Sequence, residues 1–283
     1  MATRIITDSG SDILAASGDG LVVLPLSIAF GERTYRDGAD LTHARFYDML
    51  VEQDELPTTG QVTPYDFGRA IEDAEAAGDE AVIVTLASGL SGTHQSAVMA
   101  AAGHSCARVF DSGSASVGER IQVERAVGLA RSGMSADDIV AVLEAERGSV
   151  RVLALLDTLE YLRRGGRIPK AAAALGQVLS IKPVLEIRDG QVVVLGKARG
   201  SKSARNLLRE EIAKSGSVDF SRPVALGHTG NSDALLRKYL EDSRDLWEGY
   251  AQPGQLPVHT IGATIGTHAG PGAIGVAFYA HES

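Results

Sequence analysis

The chain has 283 residues, 44% of them hydrophobic and 22% charged, which is ample length for one large or two ordinary domains with real cores. A single cysteine, Cys106, excludes an internal disulfide and a clustered-thiolate zinc site, so no metal is expected. No apolar run approaches the roughly 20 residues of a spanning helix, the stretch around Arg4 does not read as a signal peptide, and the formal charge of −9 speaks against nucleic acid. A cytoplasmic binding protein or enzyme is the expectation.

In chain order, Arg4 to Thr7, Leu21 to Ile28, Ala81 to Leu86 and Ala107 to Phe110 read as strands. Helices separate them. Thr63-Pro64 supplies an N-cap and a proline at the first helical position, ahead of Phe67, Ala70, Ile71 and Ala74. Ser135 with Asp138 three residues on is a capping-box variant before Ile139, Val142 and Leu143. This alternation predicts a mostly parallel sheet covered on both faces. Past residue 150 the pattern changes. Val152 to Leu156 reads as a strand, and Leu159, Leu162 and the Ala171 to Leu179 run read as helical. Val184 to Ile187 and Val192 to Leu195 flank Asp189-Gly190, a strong hairpin signal. Pro223 to Leu226, Val258 to Ile261 and Ile274 to Tyr279 complete a mixed sheet. The fold class is therefore α/β with two domains, residues 1–150 and 151–283, the boundary being soft.

Charge is unevenly spread. Arg151 to Arg209 holds twelve Lys or Arg against four acids, while the remainder holds fifteen against thirty-two. Such an island suits either an anionic ligand or partner surface, or a set of solvated helix faces.

In an open parallel sheet, ligands bind beyond the carboxyl ends of the strands. Hydroxylated segments gather there: Thr7-Asp8-Ser9-Gly10-Ser11-Asp12, Ser88-Gly89-Leu90-Ser91-Gly92-Thr93 and Asp111-Ser112-Gly113-Ser114. Ser91 is placed at a helix N-cap, with Gly92 permitting close approach to N–H groups that lack internal partners, a ready carboxylate or phosphate site. Thr58 to Pro64 reads as a second polar loop leading into a helix, and Gly266 to Gly272 as a glycine-rich loop holding His268. Tyr161 to Ile168 places Arg163, Arg164 and Arg167 beside paired glycines.

These segments, in this order and spacing, resemble the DegV family of fatty-acid-binding proteins, which present a bound fatty acid to a separate fatty-acid kinase. The likeness runs through Thr7-Asp8-Ser9 with Ser11-Asp12, Pro25-Leu26-Ser27-Ile28, Thr59 to Pro64, Leu90 to Ser96, Leu159 to Ile168, Lys182 to Leu185, Gly196 to Arg199, and Gly266 to Gly272 with Val276-Ala277-Phe278. It departs where the family usually carries Ser or Pro, at Gly10, Gly60 and Val62. The resemblance implies a two-domain DegV-like fold and a non-catalytic carrier of a long-chain fatty acid, with no cofactor. It implies that Thr59 and Ser91, with Gly92, Thr93 and His268 nearby, hold the carboxylate, and that the acyl chain lies in the amino-terminal domain. Arg167 and Lys202 are implied in the contact with the kinase or the acyl phosphate. Transient membrane contact is compatible with this, without a membrane segment.

Two enzyme readings compete. A serine hydrolase or acyltransferase would use Ser91 as nucleophile and His268 as base, but Gly89-Leu90-Ser91-Gly92 is one position off a Gly-x-Ser-x-Gly elbow. A phosphotransferase would use Asp8, Asp12 or Asp111, acids that serve equally well as turn formers and helix caps, and no Walker-type loop accompanies them.

Overall fold

The computed structural model of the protein describes residues 2–14, 20–53, 55–168, 181–250 and 255–281. Its first sheet is parallel, in the order β2 (Leu21–Leu24), β1 (Thr3–Asp8), β6 (Glu80–Thr85), β7 (Ala107–Asp111). Side chains alternate across it. Ile6, Ala81 and Ile83 meet Phe67, Ile71 and Ala97 of helices α2 (Pro64–Ala76) and α3 (Thr93–Ala101). On the opposite face Ile5, Val82 and Val84 meet Val123, Ala126, Ile139 and Leu143 of α4 (Val117–Arg131) and α5 (Ala136–Arg147). Both faces are dry, which explains why these strands read as nearly continuous apolar runs. The helix starts follow the sequence: the Thr63 side chain accepts from Asp66 N, and that of Ser135 from Asp138 N.

The second sheet is mixed and has the order β10 (Gln191–Arg199), β9 (Ile181–Arg188), β8 (Val150–Leu155), β13 (Ile274–Tyr279), β11 (Ala225–His228), β12 (Val258–Thr260). Asp189 and Gly190 have φ of 49° and 69°, the left-handed pair that a two-residue hairpin between β9 and β10 requires. One face of this sheet packs on Ala204, Leu208 and Ile212 of α7 (Ser201–Lys214) and on Leu236 and Tyr239 of α8 (Ala234–Asp242). The other face turns toward the first sheet, where Val117 and Ile121 of α4 meet Val152 and Ala277.

Three sequence expectations are corrected. Leu21 to Ile28 is two strands, because Pro25 lacks the N–H a continuing ladder needs; β3 (Ser27–Phe30) instead joins a separate antiparallel sheet, β4 (Arg33–Arg36), β3, β5 (Thr58–Gly60). Thr58 to Gly60 is therefore strand, not loop. Gly266 to His268 is likewise helical, inside α9 (Ala263–Ala269), and Gly266 serves packing instead of loop freedom, since a close approach to Phe46 and Tyr47 of α1 (His43–Glu52) leaves no room for a Cβ there. The expected Ala171 to Leu179 helix lies outside the described residues. Among those described, no helix is long and apolar enough to cross a membrane.

Candidate functional site

Between the two large sheets lies a cavity of about 410 Å³, within the roughly 300–1,000 Å³ of pockets that take small ligands. One end is polar. β5 and the residue after it bring Thr59, Gly60 and Gln61; the turn before α3 brings Leu90, Ser91 and Gly92; the segment after α6 (Glu160–Arg164) brings Arg167; α9 brings Thr264 and His268. The remaining wall is apolar apart from Ser116 and Glu186. Leu26, Leu86 and Val117 come from the first half of the chain, and Val152, Ala154, Leu156, Leu162, Leu185, Ile187, Val192, Ile261, Ile265 and Ile274 from the second. The sequence reading gave the tail of a ligand to residues 1–150; the apolar side chains belong mostly to residues beyond 150.

At the polar end Thr59 Oγ1 and His268 Nε2 lie 3.0 Å apart. Ser91 Oγ shares a hydrogen bond of 3.0 Å with Thr93 Oγ1 and accepts the Thr93 N–H at 3.2 Å. The helix N-cap is thus Gly92 rather than Ser91, yet the capping oxygen is still that of Ser91. Gly92 leaves room for the Gln61 side chain: a Cβ there would sit 2.1 Å from Gln61 Oε1 and force that side chain to move, although its amide donates to Ser96 Oγ at 2.8 Å. The His268 ring packs on Gly165, where a Cβ would meet Nδ1 at 2.2 Å. Nδ1 is buried without a partner. Burial first, and the Arg167 charge second, depress the His268 pKa to about 4, so the imidazole is neutral at pH 7. Arg167 donates from Nε to Leu90 O at 3.2 Å and from Nη1 to Gly165 O at 2.6 Å. No carboxylate among the described residues pairs with it. Arg163 and Arg164, by contrast, both bridge Glu160 and hold its carboxyl down to about 2.

Two buried acids, Asp12 in the turn after β1 and Asp37 directly after β4, set the position of α9. Asp12 accepts the Gly262 N–H at 2.8 Å and the Ser116 hydroxyl at 2.5 Å. Asp37 accepts from Ala263 N at 3.1 Å, Thr264 N at 3.0 Å and Thr264 Oγ1 at 2.6 Å. Two carboxyl groups thus accept from the orphan N–H groups that open the helix carrying His268. Asp8 accepts from Gly10 N and Leu86 N. Asp111 accepts from Ser88 N and Gly113 N. These acids cap and turn backbone, the role expected of them over phosphotransfer.

Of the residues singled out in the sequence, Thr59, Ser91, Gly92, His268 and Arg167 share the cavity wall. Thr93 is fully buried behind it, with Oγ1 accepting the Val62 N–H at 3.4 Å. Lys202 lies elsewhere, exposed on the first turn of α7. The hydrolase constellation is not assembled: His268 pairs with Thr59 instead of Ser91, and no acid orients its other nitrogen. Gln61, Asp37 and Gly165 were not picked out as site residues. Asp37 stands in an Arg-Asp-Gly stretch whose local pattern does not separate a buried acid from an exposed one, and only the fold takes it inside.

Residues 2–281 match the family described as "Uncharacterised protein, DegV family". A DegV domain-containing protein of Caldanaerobacter subterraneus subsp. tengcongensis is 34% identical over 285 residues, 97% of each chain. A Thermus thermophilus structure described as fatty acid binding of a DegV family protein superposes with a TM-score of 0.87 at 31% identity, over 99% of this chain and all of that one. The Streptococcus pneumoniae Fatty Acid Kinase (Fak) B3 protein, solved loaded with linoleic acid, shares the fold at a TM-score of 0.86 and 24% identity, over 99% of this chain and 100% of that one. By sequence over nearly its whole length and by architecture, the chain belongs to the DegV family.

Proposed function

We propose that the protein is a fatty-acid carrier that grips the carboxylate at Thr59, Ser91 and His268 and buries the tail against the six-stranded sheet. The observation that carries this is one cavity with a small hydroxyl-and-imidazole end and a long apolar wall. An ionised carboxylate leaving water needs its oxygens satisfied. With the proton on Nε2, His268 donates to Thr59 Oγ1 and frees the threonine hydroxyl to donate to the ligand. The same tautomer leaves Nδ1 as an unpartnered acceptor, which is tolerated more readily than an orphaned N–H. Ser91 supplies a second hydroxyl, while Arg167, beside it, keeps three N–H groups for a phosphate beyond the two it spends on carbonyls.

Magnitudes divide the labour. A hydrogen bond to a charged acceptor contributes about 1.5–3 kcal/mol, and each buried methylene about 0.8 kcal/mol. Ten methylenes outweigh two such bonds, so the tail sets affinity and the hydroxyls set orientation. A neutral imidazole with a pKa near 4 is a poor base, and that supports carriage over hydrolysis. Presentation of the bound acid to a fatty-acid kinase extends the reading, with Arg167 beside the carboxylate end as the cation that meets the acyl phosphate. Titration of hexadecanoic acid and its methyl ester into the wild type and a Thr59→Ala/Ser91→Ala variant tests the headgroup assignment. The variant loses two bonds to the acid, at least a hundredfold in affinity, while ester binding changes little. Equal affinity of wild type and variant for the acid would refute it.

A further inference from the structure

A second, polar cleft of about 790 Å³ lies beyond the apolar cavity, bounded by Asp111, Arg147, Arg151, Asp189, Glu211 and Lys214 among others. The two spaces share three residues, Val152, Glu186 and Ile187. β8 and β9 pair Leu153 with Glu186, so the same register sets Val152 opposite Ile187, on the sheet face that also carries Ala154 and Leu185. Val152 is fixed from behind: its Cγ2 comes so close to Gly118 of α4 that a Cβ there would sit 2.1 Å away. Both side chains belong to the cluster around Val117 and Ile121. The opposite end of the cavity is the carboxylate end, where Leu156 and Leu162 pack with Leu90 and Ala269, the neighbours of Ser91 and His268. From Leu156, the residue after β8, back to Val152 is about 13 Å of extended chain.

We infer that Val152 and Ile187 form the wall against which the methyl end of the ligand stops, and that this pair sets the longest acyl chain accepted. The inference rests on the fatty-acid reading above and adds its specificity determinant. Up to the wall, every methylene enters an apolar space and raises affinity about fourfold. Past it, a chain would have to displace Val152 or Ile187 and emerge among Arg151, Arg188 and Asp189, so the gain per methylene ends there. The remaining shared residue reinforces the boundary, because Glu186 is ion-paired to Arg188.

The test is a titration series of saturated acids from decanoic to eicosanoic, giving affinity against chain length for the wild type, Val152→Ala, Ile187→Ala and Ile187→Phe, each checked for native circular dichroism. The wild type should show a roughly fourfold rise per methylene that breaks at one length. Either alanine variant should move the break to longer chains, so that an acid two methylenes past the wild-type break gains roughly 15-fold. Ile187→Phe should move it to shorter ones. A break at the same length in all folded variants would overturn the inference while leaving carriage intact. A wild type that binds none of the acids would overturn the fatty-acid reading itself, and this inference with it.

Discussion

Asp12 holds the start of the His268 helix through a carboxyl that is almost fully buried, and replacing it with asparagine isolates what its charge costs. The Asp12→Asn side chain keeps both bonds: its carbonyl oxygen accepts from Gly262 N, and its amide donates to Ser116 Oγ. The wild-type carboxyl is pushed up to about 7, chiefly by desolvation, with Asp37 adding to the rise and the Ser116 and Gly262 bonds and Arg120 opposing it. Its ordinary value is 3.8. Between those values the folded protein binds a proton that the unfolded chain has lost. The wild type is therefore stabilised relative to Asp12→Asn as pH falls from about 7 toward 4, and that advantage disappears as pH rises through 7. From pH 7 to pH 5 the slope of about 1.36 kcal/mol per unit gives a relative gain on the order of 2 kcal/mol. His268 and His259, both lowered to about 4, act with the opposite sign between 6.5 and 4. They are common to both proteins and cancel in the difference. Urea unfolding of both proteins at pH 7 and pH 5 measures it. A stability difference that is constant with pH would show that Asp12 is ionised throughout, and would refute the assignment of a protonated clasp.

Two further outcomes follow from close contacts. Gly165→Ala should push the His268 ring off Thr59, because the new methyl would sit 2.2 Å from Nδ1. A loss of tenfold or more in carboxylate affinity, with methyl-ester affinity retained, would be read by titration, and an unchanged acid affinity would contradict the packing argument. Arg167→Glu should slow phosphorylation of the bound acid by a partner fatty-acid kinase more than it weakens acid binding. Equal losses in both assays would put Arg167 inside the carboxylate site.

Much of the first domain was legible because parallel strands buried on both faces leave long apolar runs, and because Thr63, Pro64 and Ser135 punctuate the helices. The Asp189-Gly190 hairpin was legible for the same local reason. Ser91 and His268 stood out from their local segments, but their grouping with Thr59 came only through resemblance, since that convergence is set by contacts more than two hundred residues apart in sequence, as between Thr59 and His268. The three-stranded sheet was illegible: β5 is three residues long, and β3 follows β2 after two residues, so no periodicity separates them. The buried function of Asp37 was hidden because an acid that caps a distant helix carries the same local pattern as one in a solvated turn. The cavity wall was hidden too. Apolar residues on β8 and β9 alternate in the same way whether they meet a core or a cavity.

Native mass spectrometry of the protein purified from cells addresses the central claim most directly. Carriage predicts a species heavier than the chain by the mass of one long-chain fatty acid, released by apolar-solvent extraction and restored by adding that acid back. Protein that arrives only at the mass of the bare chain, and takes up no acid when offered it, would contradict the account.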